Sequence, residues 1–219
     1  MEALTSFVES IRTIPTKVGS ITPPQQHFLR KFLEDHPEIK TILETGFHIG
    51  LSAAVMLSVR EDIFVTSFDI LWFDYTRRSK LLLDVAFPDR NLLIAGNSAT
   101  SLPTFLKQHS AYSPDMVFVD GGHERPIPFI DLHHILDRVK EGTWILIDDY
   151  CLAHGSQGVI EAVNVFIKHG ALVDVQFYRA FDRGWAVGRR SATPIPPSEL
   201  VTPEAIAACL RITTSTYAT

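Results

Sequence analysis

From residue 40 onward, short apolar runs alternate along the chain with segments of helical length. Runs such as VFV and WILI are continuously apolar, which is typical of strands that are buried on both faces of a sheet. Strands that alternate with helices predict right-handed βαβ units and a mainly parallel, doubly wound α/β sheet with helices on both faces. The predicted strands are Thr41–Glu44, Ile63–Phe68, Leu92–Ile94, Met116–Val119, Thr143–Ile147, Leu172–Phe177 and Trp185–Val187. The predicted helices between them lie near residues 50–59, 75–86, 100–109, 126–139 and 157–169.

The ends of the chain and its last strand differ from this pattern. The turn Ala180–Gly184 is too short for a crossover, so we predict that the last strand is antiparallel. Residues 2–12 have the spacing of an amphipathic helix, and a second helix is predicted between Thr22 and Pro37. A short terminal helix is predicted over Thr202–Leu210. We expect one domain over residues 1–219, with an N-terminal helical cap at 1–39, a core at 40–190 and a C-terminal tail at 191–219.

The composition narrows the classes of function. The chain has 20 basic and 25 acidic residues and a net charge of −5, which argues against nucleic-acid or anionic-membrane binding. No apolar run approaches the roughly 20 residues of a membrane span. The two cysteines, Cys151 and Cys209, suit a reducing compartment, and the first residues carry Glu2 and Glu9 but no base before Arg12. We therefore expect a cytoplasmic protein. The sequence leaves the oligomeric state open, and the N-terminal helices and the C-terminal tail are candidate contacts for a homodimer.

The loop after the first predicted strand is typical of a nucleotide-type cofactor site. In ETGFHIGLS, Gly46 allows the backbone to approach a ligand closely, and Gly50 opens a helix whose N–H groups attract an anion. A dinucleotide fingerprint needs a third glycine that this loop lacks. The alternative is a plain strand-to-helix turn that needs two glycines.

Two further segments come after the second and third strands. Asp69 lies 23 residues after Gly46, near the spacing expected for an acid that accepts hydrogen bonds from ribose hydroxyls. Asn97 and Ser98 follow the third strand and could line an adenine slot. A helix cap or a solvated loop would explain either segment equally well.

Acidic residues gather where the fourth and fifth strands end. Asp120 follows VFV, and Asp148 and Asp149 follow WILI, so we expect the three carboxylates to converge at one edge of the sheet. Such carboxylates repel one another and need a cation, for which oxygen ligands favour Mg²⁺. His123 lies beside them and could accept a proton near neutral pH. The alternative is one capping and one solvated aspartate, with an incidental histidine.

Together, these segments resemble the class I S-adenosylmethionine-dependent methyltransferases over roughly residues 40–188. The sequence is most similar to the branch of metal-dependent small-molecule O-methyltransferases, which includes macrocin-type sugar enzymes and, more distantly, catechol-type enzymes. ETGFHIGLSA resembles the first cofactor motif, SFD the ribose-binding acid and GNS the adenine-side loop. VDGGH followed by IDDY is the most specific part.

The resemblance implies a Rossmann-like seven-stranded sheet with an antiparallel last strand. It also implies methyl transfer from S-adenosylmethionine to a hydroxyl of a small molecule such as a sugar, diol or catechol. By position, Asp120, Asp148 and Asp149 would hold Mg²⁺ or another divalent cation, and His123 would be the base. The cofactor residues implied are Glu44, Gly46, Phe47, Gly50, Ser52, Asp69, Asn97, Ser98 and Asp120, with Glu44 near the ammonium group.

Other functions remain open at this point. An NAD-dependent oxidoreductase shares the first loop and Asp69 but leaves the acidic cluster unexplained. A metal-independent methyltransferase, or a cofactor-binding module without catalysis, would use the same cofactor residues. An iron-dependent hydroxylase needs two histidines and a carboxylate, and only His123 is well placed.

Overall fold

The structure is a computed structural model that describes residues 2–16, 20–151, 156–178 and 183–195 together with residues 201, 202, 204 and 207. The helices within these residues are α1 Glu2–Ile11, α2 Pro23–Asp35, α3 Leu51–Leu57, α4 Asp74–Ala86, α5 Ser98–Gln108, α6 Ile127–Leu136 and α7 Gln157–Lys168. The strands are β1 Thr41–Thr45, β2 Phe64–Asp69, β3 Asn91–Ala95, β4 Met116–Val119, β5 Trp144–Ile147, β6 Leu172–Tyr178 and β7 Trp185–Arg190. Every predicted element inside the described ranges is present. The predicted terminal helix Thr202–Leu210 and most of the turn Ala180–Gly184 lie outside the described residues.

The seven strands form one sheet in the order β3-β2-β1-β4-β5-β7-β6. The pairings among β1 to β5 are parallel, whereas β7 is antiparallel to both β5 and β6. This confirms the predicted α/β fold, which is Rossmann-like, mainly parallel and closed by an antiparallel last strand. Because the order reverses between β1 and β4, a crevice opens beyond the carboxyl ends of these two strands.

The central strands carry the core, as their apolar runs predict. Every residue of β4 is buried, and so are the last three residues of β5. The edge strand β3 is less buried, and Leu92 is 45% exposed, because a strand at the edge of the sheet has a neighbour on one side only. The prediction of strands buried on both faces therefore holds for the centre of the sheet and not for β3.

The two N-terminal helices pack onto the core and extend it. Phe7 and Ile11 of α1 and Leu29 and Leu33 of α2 are buried in the same cluster as the helix α3. The helix α2 packs on α3, and α1 packs on α3 and α4. Ser20 and Ile21, which precede α2, lie at the carboxyl edge of the sheet. Among the described residues, we find no helix with the length and apolar character needed to cross a bilayer.

Candidate active site

Backbone hydrogen bonds continue past the strand ends and hold the loops of the carboxyl edge side by side. The N–H of Gly46 donates to Phe68 O at 2.8 Å, and the N–H of Asp120 donates to Thr45 O at 2.9 Å. A cavity of about 430 Å³ opens at this edge. Its walls come from the loops after β1 to β5, from Ser20 and Ile21 before α2, and from Arg183 before β7. Its size is that of a small-molecule or cofactor site.

Gly46 lets the loop after β1 lie directly against the loop after β4. Its φ is +87°, and a Cβ at this position would lie 1.8 Å from the backbone oxygen of Asp120. Gly50 has a φ of +75° at the start of α3, where a Cβ would meet the ring of the buried Phe47 at 2.5 Å. The glycine requirement predicted for this loop therefore has a steric cause, and Gly46, Phe47 and Gly50 all line the cavity.

Asp69 fixes the backbone on both sides of the cavity mouth. Its carboxylate accepts one hydrogen bond from the N–H of His48 and one from the N–H of Leu71, each at 2.7 Å. Both donors have positive φ values, of 50° and 55°, which are uncommon for residues other than glycine. Each carboxylate oxygen keeps a lone pair for a ligand, because an ionised carboxylate accepts about four hydrogen bonds. Asp69 lines the cavity as predicted.

The adenine-side segment is a helix start. The side chain of Asn97 accepts a hydrogen bond from the N–H of Ala99 at 3.0 Å and so caps α5, which begins at Ser98. Both Asn97 and Ser98 also line the cavity. Asn97 therefore caps a helix, as in the alternative interpretation of this segment, and it also lines the cavity. Beneath this wall, burial raises the pKa of Asp131 to about 7, and the hydroxyl of Ser98 opposes that rise.

Glu44 is fully buried at the end of β1, below the floor of the cavity. The hydroxyl of Ser52 donates to Oε1, and the hydroxyl of Ser67 donates to Oε2 at 2.6 Å. Desolvation raises the pKa of Glu44 to about 7, although both hydroxyl donors oppose the rise. Ser52 lines the cavity. Glu44 lies beneath Ser52 and does not line the cavity itself.

Asp120, Asp149 and His123 come together at the other end of the cavity. Nδ1 of His123 lies 3.4 Å from Oδ2 of Asp149, and this contact raises the pKa of His123. Burial and repulsion from Asp148 and Asp149 raise the pKa of Asp120 well above its usual value. Asp149 has a φ of +59°, a strained conformation for a residue that is not glycine and one that clusters at functional sites. All three residues line the cavity.

Asp148 departs from the predicted site. Its Oδ1 accepts hydrogen bonds from Nε2 of Gln25 at 3.0 Å and from the N–H of Asp149 at 2.7 Å. Burial, followed by repulsion from Asp149, raises the pKa of Asp148 to about 6, while the indole of Trp185 opposes the rise. Asp148 is 2% exposed and does not line the cavity. Oδ1 is therefore held by α2 and by the backbone, while Oδ2 is buried without a hydrogen-bond partner among the described residues.

The Mg²⁺ site predicted for Asp120, Asp148 and Asp149 is not found in the arrangement of these side chains, although repulsion from Asp148 and Asp149 acts on Asp120. Across the described ranges of the chain, no group of three or more histidine, cysteine, aspartate or glutamate side chains is placed to hold a metal ion. Asp149 faces two cationic or ionisable groups, with His123 on one oxygen and Nε of Arg183 at 3.8 Å from the other. A divalent ion, which prefers several oxygen ligands, would have to compete with these two groups for Asp149.

Sequence analysis did not identify Gln25 or Arg183 as site residues. Both reach the site through pairings that join distant parts of the chain, and no local motif marks either of them. His48 follows the first loop glycine and lines the cavity; its Nε2 lies 2.8 Å from the hydroxyl of Tyr75, and desolvation lowers its pKa. His154, whose place in the sequence predicts that it flanks the cleft, lies outside the described residues.

The donor set of the cavity fits an adenosyl cofactor. Gly46 lines the cavity while its backbone lies directly against that of Asp120, and Asp69 offers acceptors for vicinal hydroxyls. The helix starts at Gly50 and Ser98 present N–H groups, and His123 with Asp149 forms the polar end. The cavity thus has an adenosine-type half and an acid–base half.

Comparison with known protein families agrees with this description. The family model described as "Methyltransferase domain" matches residues 43–150, which run from β1 to the end of the acidic segment after β5. No curated protein matches the chain.

Solved structures share the fold. An O-methyltransferase from Bacillus cereus in complex with SAH has a TM-score of 0.70 at 14% identity and covers 87% of this chain and 91% of its own. A SAH-bound methyltransferase from Podospora anserina has a TM-score of 0.68 at 20% identity, with coverages of 87% and 88%. The O-methyltransferase TomG from Streptomyces achromogenes, involved in tomaymycin synthesis and in complex with SAM, has a TM-score of 0.65 at 17% identity, with coverages of 88% and 91%. At these identities the similarity establishes the fold.

Proposed function

We propose that this chain, which is a class I S-adenosylmethionine-dependent methyltransferase, methylates a hydroxyl oxygen of a small molecule with His123 as the general base. The observation that carries the proposal is the pair of His123 and Asp149, 3.4 Å apart at the end of the cavity away from Asp69. A base at this place has a use only if the acceptor loses a proton. A hydroxyl depends strongly on such a base, because its neutral oxygen is a weak nucleophile, and the O-methyltransferases among the structural relatives are consistent with this choice.

His123 and Asp149 form the proton-accepting unit in this proposal. Because Nδ1 of His123 faces the carboxylate, its proton is held there and Nε2 is the nitrogen that takes the proton of the acceptor hydroxyl. When bound, S-adenosylmethionine supplies an electrophilic methyl group whose C–S bond breaks as the O–C bond forms, with the electron pair left on sulfur. Asp149 then stabilises the imidazolium form of His123, and such a base contributes about 10²–10⁴-fold to the rate.

The cofactor is bound by the opposite half of the cavity. Asp69 would accept hydrogen bonds from the two ribose hydroxyls, with Asn97 and Ser98 beside the adenine. Gly46, Phe47, Gly50, Ser52 and Asp120 would surround the methionine part. Glu44 lies beneath Ser52, so it would act on the ammonium group through that hydroxyl and through its charge, not by direct contact.

No step of the mechanism passes through a metal ion. No group of three or more side chains placed to hold a metal ion is found among the described residues, and Asp149 already lies against His123 and Arg183. We therefore limit the acceptor to a small molecule with a hydroxyl group. Its walls would be Ser20 and Ile21 before α2 and Trp72 and Phe73 after β2, all of which line the cavity.

Two measurements test this function. Calorimetric titration with S-adenosylmethionine, S-adenosylhomocysteine and NAD should show binding of the first two and none of the third. A panel of phenols, sugars and hydroxy acids, followed by mass spectrometry of S-adenosylhomocysteine and methylated acceptor, should then identify the acceptor class. Binding of NAD in preference to S-adenosylmethionine would support the oxidoreductase alternative, and methyl transfer only to amine or thiol acceptors would refute O-methylation.

A further inference from the structure

A cation lies beside the acidic end of the cavity. Ile147 of β5 is paired with Ala186 of β7, and beyond the paired strands the N–H of Tyr150 donates to Gly184 O at 3.1 Å. The residue before Tyr150 is Asp149, and the residue before Gly184 is Arg183. This hydrogen bond therefore holds together the two backbone segments that carry Asp149 and Arg183, and both side chains line the cavity.

A glycine makes that close approach possible. Gly184 has a φ of +71°, and a Cβ at this position would lie 2.6 Å from the backbone oxygen of Tyr150. With the two backbones this close, Nε of Arg183 lies 3.8 Å from Oδ1 of Asp149, and the side chain of Arg183 is 29% exposed on the cavity wall. The guanidinium group is thus held on the cavity wall by its contact with Asp149, next to a point where two backbone segments touch.

The charges around it require such a group. Asp120 and Asp149 both line this end of the cavity, and the buried Asp148 lies directly behind them. Carboxylates that share a poorly solvated site repel one another unless a cation offsets the repulsion. His123 offers a positive charge only when it is protonated, and the base of the proposed reaction must begin unprotonated. Arg183 supplies a guanidinium group to the described cavity wall, and this is the side chain that proteins use most readily to pair with carboxylates.

We propose that Arg183 takes the electrostatic place of a divalent cation in this site, holding Asp149 in position for His123 and attracting the acceptor oxygen as it loses its proton. This inference rests on the proposed O-methylation and adds that methyl transfer here is independent of metal. An arginine can do this because its planar group carries five N–H donors, so the edge that faces Asp149 leaves donors for an acceptor oxygen. The sequence motif has the acids of a metal site, but their side chains are not found as a metal-binding group. Arg183 explains this difference, because it already supplies the positive charge that a metal ion would bring.

The test compares Arg183→Gln with the wild-type chain, with Arg183→Lys as the charge-conserving variant. Arg138→Ala is the control, because Arg138 lies on the surface after α6 and its side chain is 58% exposed. Binding of Mn²⁺ is measured by electron paramagnetic resonance and needs no acceptor and no turnover. We expect Arg183→Gln to bind Mn²⁺ at least tenfold more tightly than the wild type, because the carboxylates lose their internal cation. Equal Mn²⁺ affinities in the two proteins would overturn the inference.

Turnover gives the second arm, using the acceptor found in the panel above. We expect the wild type to keep its rate after exhaustive treatment with EDTA, and Arg183→Gln to lose at least 100-fold in kcat, with affinity for S-adenosylmethionine within threefold. Arg183→Lys should recover part of the loss, and the thermal unfolding midpoints of all variants confirm that they are folded. A wild-type rate abolished by EDTA, or an unchanged rate in Arg183→Gln, would overturn the inference. A failure of O-methylation itself would appear earlier, as the absence of any methylated hydroxyl product, and would leave the Mn²⁺ comparison to decide the role of Arg183.

Discussion

Gln25 at the start of α2 donates a hydrogen bond from Nε2 to Oδ1 of Asp148 at the tip of β5, over a distance of 3.0 Å. The same amide accepts hydrogen bonds through its oxygen from the N–H of Thr22 at 2.8 Å and from the hydroxyl of Thr22 at 3.0 Å. Gln25 is fully buried, so one side chain joins the start of an N-terminal helix to the carboxyl edge of the sheet. The residues just before it, Ser20 and Ile21, line the cavity, and their position depends on this connection.

Replacing Gln25 by leucine should therefore destabilise the whole protein. The change leaves the carboxylate of Asp148 and the N–H of Thr22 without their side-chain partner in a buried place, which costs about 2–3 kcal/mol. Urea unfolding gives the free energy directly. Gln26→Leu is the matched control, because Gln26 is only half-buried and donates a single hydrogen bond, to Ile21 O. Equal losses in the two variants would show that the bond to Asp148 adds nothing.

Gly46→Ala should disrupt both the fold and the cofactor site. Gly142 is a close match in backbone, with a φ of +81° against +87°, but a Cβ at Gly142 would meet nothing within 4 Å. Both substitutions pay for a left-handed alanine, about 1–2 kcal/mol, and only Gly46→Ala also forces its Cβ against the backbone oxygen of Asp120. We expect Gly46→Ala to lose several kcal/mol more than Gly142→Ala in urea unfolding and to lose calorimetric binding of S-adenosylmethionine. Similar unfolding curves for the two variants would contradict this account of the loop.

The element boundaries were predictable because they depend on local patterns. Met116–Val119 is observed as predicted, and the other strands differ by one or a few residues at their ends. Apolar runs fix which residues are buried in a central strand, and that property does not depend on the neighbours of the strand. The insertion of β7 between β5 and β6 is different, since it is decided by pairing between strands and leaves no mark in either strand alone.

The candidate site was predictable in part for a related reason. Strand ends in a parallel sheet share one edge, so the positions of Asp69, Asp120 and Asp149 on the cavity follow from topology. The direction of a side chain does not, because it depends on partners far away in the sequence. Asp148 pairs with a glutamine 123 residues earlier, and Asp149 lies against an arginine that precedes β7. The motif could identify the acids but not their partners.

His123→Asn tests the base. We expect kcat to fall by about 10²–10³-fold while the affinity for S-adenosylmethionine stays within twofold, because the proposed contact of His123 is with the acceptor hydroxyl. Asp149→Asn should slow the reaction through the same unit, so the double variant should be little slower than the worse single variant. His169→Asn, an exposed histidine after α7, is the control. Fully additive losses would mean that His123 and Asp149 do not act as one unit.

Glu44 makes the stability of the protein depend on pH, and the sign follows from its raised pKa. Glu44 titrates near 7 in the folded chain, against 4.5 for an ordinary glutamate, so between these values the folded state holds a proton that the unfolded state has released. Protonation of Glu44 therefore stabilises the folded state in full below pH 4.5. This contribution to the free energy of unfolding declines as the pH rises through 7 and then levels off. The total change is about 3 kcal/mol if the whole pKa shift is expressed. Glu44→Gln cannot titrate, so the stability of the wild type relative to this variant should fall between pH 5 and pH 8 in urea unfolding.

Asp131, whose pKa is also about 7, titrates equally in both proteins and cancels from the difference. A difference that does not change with pH would mean that Glu44 stays ionised beneath the hydroxyls of Ser52 and Ser67, and the cavity floor would then carry a full negative charge toward the cofactor.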